Sequence, residues 1–207
     1  MDHKENLTAR IVALEWQMFQ KTRNIGGPAP CQQDPLAFEV ARSSQVMAWS
    51  VPVMESYLHD VENAEQPGRN LVMEKYARMM KTTAPDEYTR IEPLLPRLDP
   101  AVVSLIDRIV AIVLTWGMEL SKNYPHLMSR GRPLHGSGGP SSATSIETYL
   151  KGELATYSPE TLELYLVDSL RQQAEGINGA ETVLDYTIKR HGYGSLSEAE
   201  QQLSAQS

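Results

Sequence analysis

"WSVPVMESYLHDVENAEQPGRN" (residues 49–70) lies on "YSPETLELYLVDSLRQQAEGIN" (157–178) after a shift of 108 residues, with seven identities in 22 positions. Ser50, Glu55, Tyr57, Leu58, Asp60, Gly68 and Asn70 match Ser158, Glu163, Tyr165, Leu166, Asp168, Gly176 and Asn178. Upstream, "RIVA" at 10–13 recurs at 108–111, and Trp16 is paired with Trp116. The offset drifts from 98 to 108 where the second of two Gly/Pro loops is the longer. Amphipathic helices resemble one another, which is the plainer account of such matches. A duplicated architecture is the sharper one. It predicts one domain over 1–207, a helical bundle of two similar four-helix halves, about 8–82 and 107–190, related by a pseudo-two-fold, with a connector at 83–98.

The helical reading rests on spacing and punctuation. Leu7, Ile11, Leu14 and Met18 recur at three- and four-residue intervals, the period of one helix face. Asp34-Pro35, Asp99-Pro100 and Ser158-Pro159 each place a capping side chain before a proline, which starts a helix. Ser50 is a candidate cap for the helix carrying Met54, Tyr57, Leu58 and Val61, and Pro67-Gly68 stops that helix. "SLSE" (195–198) has the form of a capping box for a short last helix. The run "IVAIVLTW" (109–116) sits in a helix apolar nearly all round, which predicts a central position. No β pattern competes, so the fold class expected is all-α. The two ends, roughly 1–6 and 201–207, read as loose.

Composition narrows the function. The chain has 207 residues, 41% hydrophobic and 22% charged, a globular balance. Net charge is −7 without a basic run, so neither nucleic acid nor an anionic membrane is expected as a partner. The eight-residue apolar run falls short of the ~20 residues that span a bilayer, and "MDHKENLTAR" has no apolar signal core. A cytoplasmic protein is expected, with a homodimer left open. Cys31 is the single cysteine, which removes disulfide and C-x-x-C chemistry. His3, His59, His126, His135 and His191 have no metal-ligand spacing, and no phosphate loop or dinucleotide fingerprint occurs. No metal or cofactor is expected.

Two Gly/Pro-rich loops draw attention. "NIGGPAPCQQDP" (24–35) offers Asn24, Cys31, Gln32 and Asp34; "YPHLMSRGRPLHGSGGPSS" (124–142) offers Arg132 and His135. Arg132 and His135 supply donors suited to a carboxylate or phosphate. Basic residues just after a helix more often satisfy its last carbonyls, and Arg23 and Lys122 fit that role. Glu15 stands among Ile11, Leu14, Met18 and Phe19 on an apolar face. There it is either a paired structural carboxylate or a base with a shifted pKa, sharper if Arg42, Arg69 or Arg132 is near. Cys31 as a nucleophile served by His135 is the minority reading of a lone cysteine.

"LEWQMFQ", "NIGG", "CQQD", "GRNLVMEKYARMM", "GRPLH" and "TYLKGELATYS" together resemble the bacterial family called domain of unknown function 4125, over nearly the whole chain. The resemblance implies polar identity in the loops, which suits a small-molecule site better than a bare scaffold. An arginine usually follows the paired glycines in that pattern; this chain has Pro28. The expectation is a small-molecule-binding protein, an enzyme of lyase, cyclase or isomerase type acting without a cofactor on a small anionic metabolite. Glu15, Asp34 and His135 are its catalytic candidates. Arg132, Cys31, Gln32, Asn24, Arg42 and Tyr157 are its ligand-binding candidates. A non-catalytic helical interaction or ligand-sensing protein is the alternative.

Overall fold

The computed structural model describes residues 2–22, 30–136 and 144–206, with eleven α-helices and no strand among them. Asn24 lies outside the described residues, as does the side chain of Cys31. The protein is all-α.

Helix α1 (His3–Lys21) starts on a capping box in which Asp2 accepts from the Glu5 N–H and Glu5 reaches back to the Asp2 N–H. After a 3-10 turn (Pro30–Gln33), α2 (Pro35–Met47) begins on Asp34, whose carboxylate accepts from the Ala37 N–H. Ser50 occupies the cap position of α3 (Val51–Glu65), but its hydroxyl makes no cap bond; Pro52 in the first turn sets the start. Gly68 then turns the chain with φ 77°, a conformation open to glycine at little cost. Asn70 caps α4 (Leu71–Thr83). The connector holds α5 (Pro85–Ile91) and a 3-10 turn.

Asp99 caps α6 (Pro100–Asn123), the longest helix. By length and composition α6 is the one helix among the described residues that could cross a membrane. It is not apolar all round: Ile106, Ile109, Val110, Trp116 and Leu120 are buried, while Asp107, Arg108, Thr115, Glu119 and Lys122 are exposed. The expected central position therefore becomes a flank with one wet face. The start of the second loop is helical, α7 (Pro125–Ser129). Then come α8 (Ile146–Leu154), α9 (Pro159–Ala174), α10 (Gly179–Arg190) and α11 (Leu196–Ser204), on caps Ser145, Ser158, Asn178 and Ser195. The "SLSE" box is half made, because Glu198 turns to the Gly194 N–H instead of the cap's own. The C-terminal residues expected to be loose are helical to Ser204.

Helix α1 packs on α2, α3 and α4; α6 packs on α8, α9 and α10. Cross-pairs α4–α8, α2–α10 and α3–α9 join the two sets. One core runs through both, from Ile11, Val46 and Met54 to Ile109, Leu154 and Leu162. A smaller cluster of Ile188, Leu196 and Ala199 seats α11 against α7 and α10.

Candidate functional site

Four ionisable side chains from four helices meet inside the bundle: Glu15 of α1, Arg42 of α2, Lys75 of α4 and Glu153 of α8, exposed by only 4%, 5%, 8% and 6%. Each stands on the apolar side of its helix. Glu15 has Ile11, Met18 and Phe19 a turn away, and Lys75 has Leu71 and Met79. Burying an unpaired charge is prohibitive, so these groups must meet one another.

They do so completely. Arg42 grips Glu15 bidentately, Nε to Oε2 at 2.5 Å and Nη2 to Oε1 at 2.8 Å. Its Nη1 donates to Glu153 Oε1 at 2.7 Å and to Gln45 Oε1 at 2.5 Å. Lys75 Nζ donates to Glu153 Oε2 at 2.7 Å. Tyr57 donates to Glu15 and Tyr157 to Glu153, at 2.5 and 2.8 Å. The order Glu15–Arg42–Glu153–Lys75 alternates in sign and sums to zero.

Burial opposes the charge on Glu153, but Arg42 and Lys75 outweigh it, and the carboxyl is pulled down to about 2. Burial likewise opposes the Lys75 ammonium, yet Glu153 holds its pKa above the ordinary lysine value. Burial, reinforced by the neighbouring carboxylates, pushes the Tyr57 and Tyr157 hydroxyls up. Glu153 and Lys75 are therefore ionised, and the two tyrosines are neutral donors, at neutral pH.

Aromatic rings enclose the network. Tyr57 and Tyr157 lie with centroids 4.4 Å apart, and the Trp49 ring meets Tyr57, Tyr157 and Tyr165 edge-on. The Arg42 guanidinium is 5.4 Å from the Trp49 centroid. The Tyr149 ring has Lys75 Nζ 3.6 Å and Arg132 Cζ 5.1 Å from its centre, cation–π distances in both cases. One residue makes the α4–α8 approach feasible. A Cβ on Gly152 would stand 2.7 Å from Met79 Cγ and 2.9 Å from the Lys75 carbonyl oxygen.

The network forms part of the wall of a cavity of about 590 Å³ lined from α1 to α4 and from α6 to α10, within the usual range for small-molecule sites. A family model described as Protein of unknown function (DUF4125) matches residues 5–201, nearly the whole chain. The chain belongs to the DUF4125 family. No curated protein and no solved structure matches it.

In this DUF4125 protein, Glu15, Arg42, Tyr157 and Arg132 line the cavity, whereas Gln32, Asp34 and His135 are not among its lining residues. Gln32 is buried at the end of α1, its amide donating to the Phe19 and Thr22 carbonyls. The Asp34 carboxylate caps α2. His135 is exposed, with Nδ1 2.9 Å from Glu147 Oε2. Arg132 donates to the Thr144 carbonyl at 3.3 Å. Gln32 and Asp34 thus bond the ends of α1 and α2.

Lys75, Glu153, Gln45, Tyr57 and Tyr149 were not picked out from the sequence as site residues. The signal that singled out Glu15, a charge on an apolar helical stripe, is also present at Lys75 and at Glu153 beside Leu150, Leu154 and Tyr157. Among the described residues no group of His, Cys, Asp and Glu is arranged to hold a metal ion.

Proposed function

We propose that this DUF4125 protein binds a small anionic metabolite in the central cavity and acts on it as a cytoplasmic, cofactor-independent enzyme of lyase, cyclase or isomerase type. The observation that carries the reading is the convergence of Glu15, Arg42, Lys75 and Glu153 on that cavity. An apolar core of the same volume would be about as stable as a buried ion network, or more so. Four charges kept on the wall of a roomy cavity support a preorganised site better than a packing role.

A ligand-sensing role without catalysis has one observation in its favour. Glu15, Glu153 and Asp168, the carboxylates lining the cavity, each have both oxygens hydrogen-bonded. A general base in that setting must first surrender a bond. Native mass spectrometry after exposure to a small-metabolite extract, with the extract profiled before and after, separates the outcomes. Retention of a small acid with its consumption supports the enzyme. Retention without consumption supports the sensor. Neither retention nor consumption refutes both.

We further propose that the architecture is a duplication about a pseudo-two-fold. Its support is the matching order of helix pairings around α1 and α6. Asn70 and Asn178 each cap a helix while the side-chain amide donates to a carbonyl of the half's first helix, Met18 at 2.7 Å and Trp116 at 3.1 Å. Gly68 and Gly176 precede them with φ 77° and 71°. This equivalence aligns Trp116 with Met18 and not with Trp16.

A further inference from the structure

Among the described residues three cations line the cavity: Arg42, Lys75 and Arg132. Their situations differ. Arg42 and Lys75 are neutralised by Glu15 and Glu153. Among the described residues Arg132 has no carboxylate at salt-bridge distance and one hydrogen bond, to Thr144, which uses one of five N–H donors. Asp168, the remaining acid on the wall, is satisfied by Arg171 at 2.8 Å and Gln172 at 3.0 Å. Arg132, itself exposed to solvent, is therefore the cation on the wall that no described carboxylate pairs, 5.1 Å from the centre of the Tyr149 ring. Much of the remaining wall is apolar or aromatic, including Phe19, Phe38, Trp116, Leu127 and Val183.

We infer that the cavity selects a monoanionic, largely apolar small molecule, an aryl or acyl carboxylate, with Arg132 holding the carboxylate and the aromatic walls holding the body. This rests on the ligand-binding reading above and deepens it. A neutral ligand leaves the Arg132 fork unused. A phosphate dianion brings two charges to one free cation, and its excess charge faces a cavity whose other cations are already committed to Glu15 and Glu153. A planar guanidinium has the fork geometry for bidentate capture of a carboxylate.

N-phenyl-1-naphthylamine, neutral and fluorescent in apolar surroundings, reports on the cavity. Three ligands compete with it: 1-naphthoate, 1-naphthyl phosphate at roughly pH 8, above the phosphate's second pKa of about 6, and neutral 1-naphthalenemethanol. The expected order of displacement is naphthoate first, by about tenfold over each of the others, the worth of one charged hydrogen-bond pair. Arg132→Gln should erase naphthoate's advantage, leave the amine's own binding in place and keep the circular dichroism of the helices. Equal displacement by all three competitors, preference for the phosphate, or an unaltered order in Arg132→Gln overturns the inference while the cavity remains a binding site. Ala41→Trp, on the α2 face lining the cavity, or Ala37→Trp should it not fold, should abolish binding of the amine. If the amine does not bind, or binds equally to the filled variant, the ligand-binding reading itself fails.

Discussion

Arg42 Nη1 lies 2.7 Å from Glu153 Oε1, joining α2 to a helix 111 residues further along the chain. The same guanidinium holds Glu15 through its other two nitrogens. Arg42 is thus the hub of a buried network, and its removal strands two carboxylates at once. Breaking one partner of a buried pair costs ~3–5 kcal/mol. Arg42→Met should lose at least that much in urea denaturation. A loss below about 1 kcal/mol, the value of an exposed pair, would show that water reaches the network and replaces the guanidinium.

The pH dependence follows from Glu153. Its carboxyl falls from 4.5 to about 2 on folding. A depressed folded pKa adds stability above the unfolded value, and this contribution is lost as pH falls from 4.5 towards 2. The shift corresponds to ~3 kcal/mol at most. Glu153→Gln should be less stable than the wild type at pH 7, and its stability should fall less steeply below pH 4.5. Parallel stability–pH curves for the two proteins would exclude Glu153 as the titrating group.

Much of the fold was legible because its punctuation is local. A cap and the proline after it act on the adjacent backbone, so Asp34-Pro35, Asp99-Pro100 and Ser158-Pro159 announced α2, α6 and α9. The anomaly of Glu15 was also legible, since its apolar neighbours lie within one turn. Its setting was not fully legible. The network that holds it closes only where α8 crosses α4 at Gly152, a contact between distant segments. Polar loop residues have a local use that sequence does not separate from ligand binding: Asp34 and Gln32 bond the ends of α2 and α1. Arg132 looked alike in sequence but lines the cavity.

Gly152 and Gly68 should respond differently to alanine. At Gly68 a Cβ meets nothing within 4 Å, but φ is +77°, so Gly68→Ala costs the ~1–2 kcal/mol of a left-handed residue and leaves the cavity alone. At Gly152 the Cβ meets the α4 backbone and Met79. Overpacking of that kind costs ~1–3 kcal/mol and shifts backbone, which parts Lys75 from Glu153. Gly152→Ala should therefore also change the near-ultraviolet circular dichroism, since Tyr149 and Tyr157 sit on the displaced wall. An unchanged aromatic spectrum would mean that α8 accommodates the methyl without moving.

Asn70 and Asn178 provide a thermodynamic test of the duplication. Each accepts from the N–H of the third residue of its helix, Met73 and Glu181, and each sends its amide to a carbonyl of α1 or α6. Losing an N-cap costs ~1 kcal/mol, and a further hydrogen bond adds ~1 kcal/mol. Asn70→Ala and Asn178→Ala should each cost about 2 kcal/mol in urea denaturation. The two residues share no partner, so their losses should add in the double variant to within ~0.5 kcal/mol. Asn178 also reaches Glu119 at 3.0 Å, an exposed bond of small value, so the second loss should be equal or slightly larger. If one substitution is silent while the other is costly, the two corners do different work, and their likeness in sequence reflects helix capping alone.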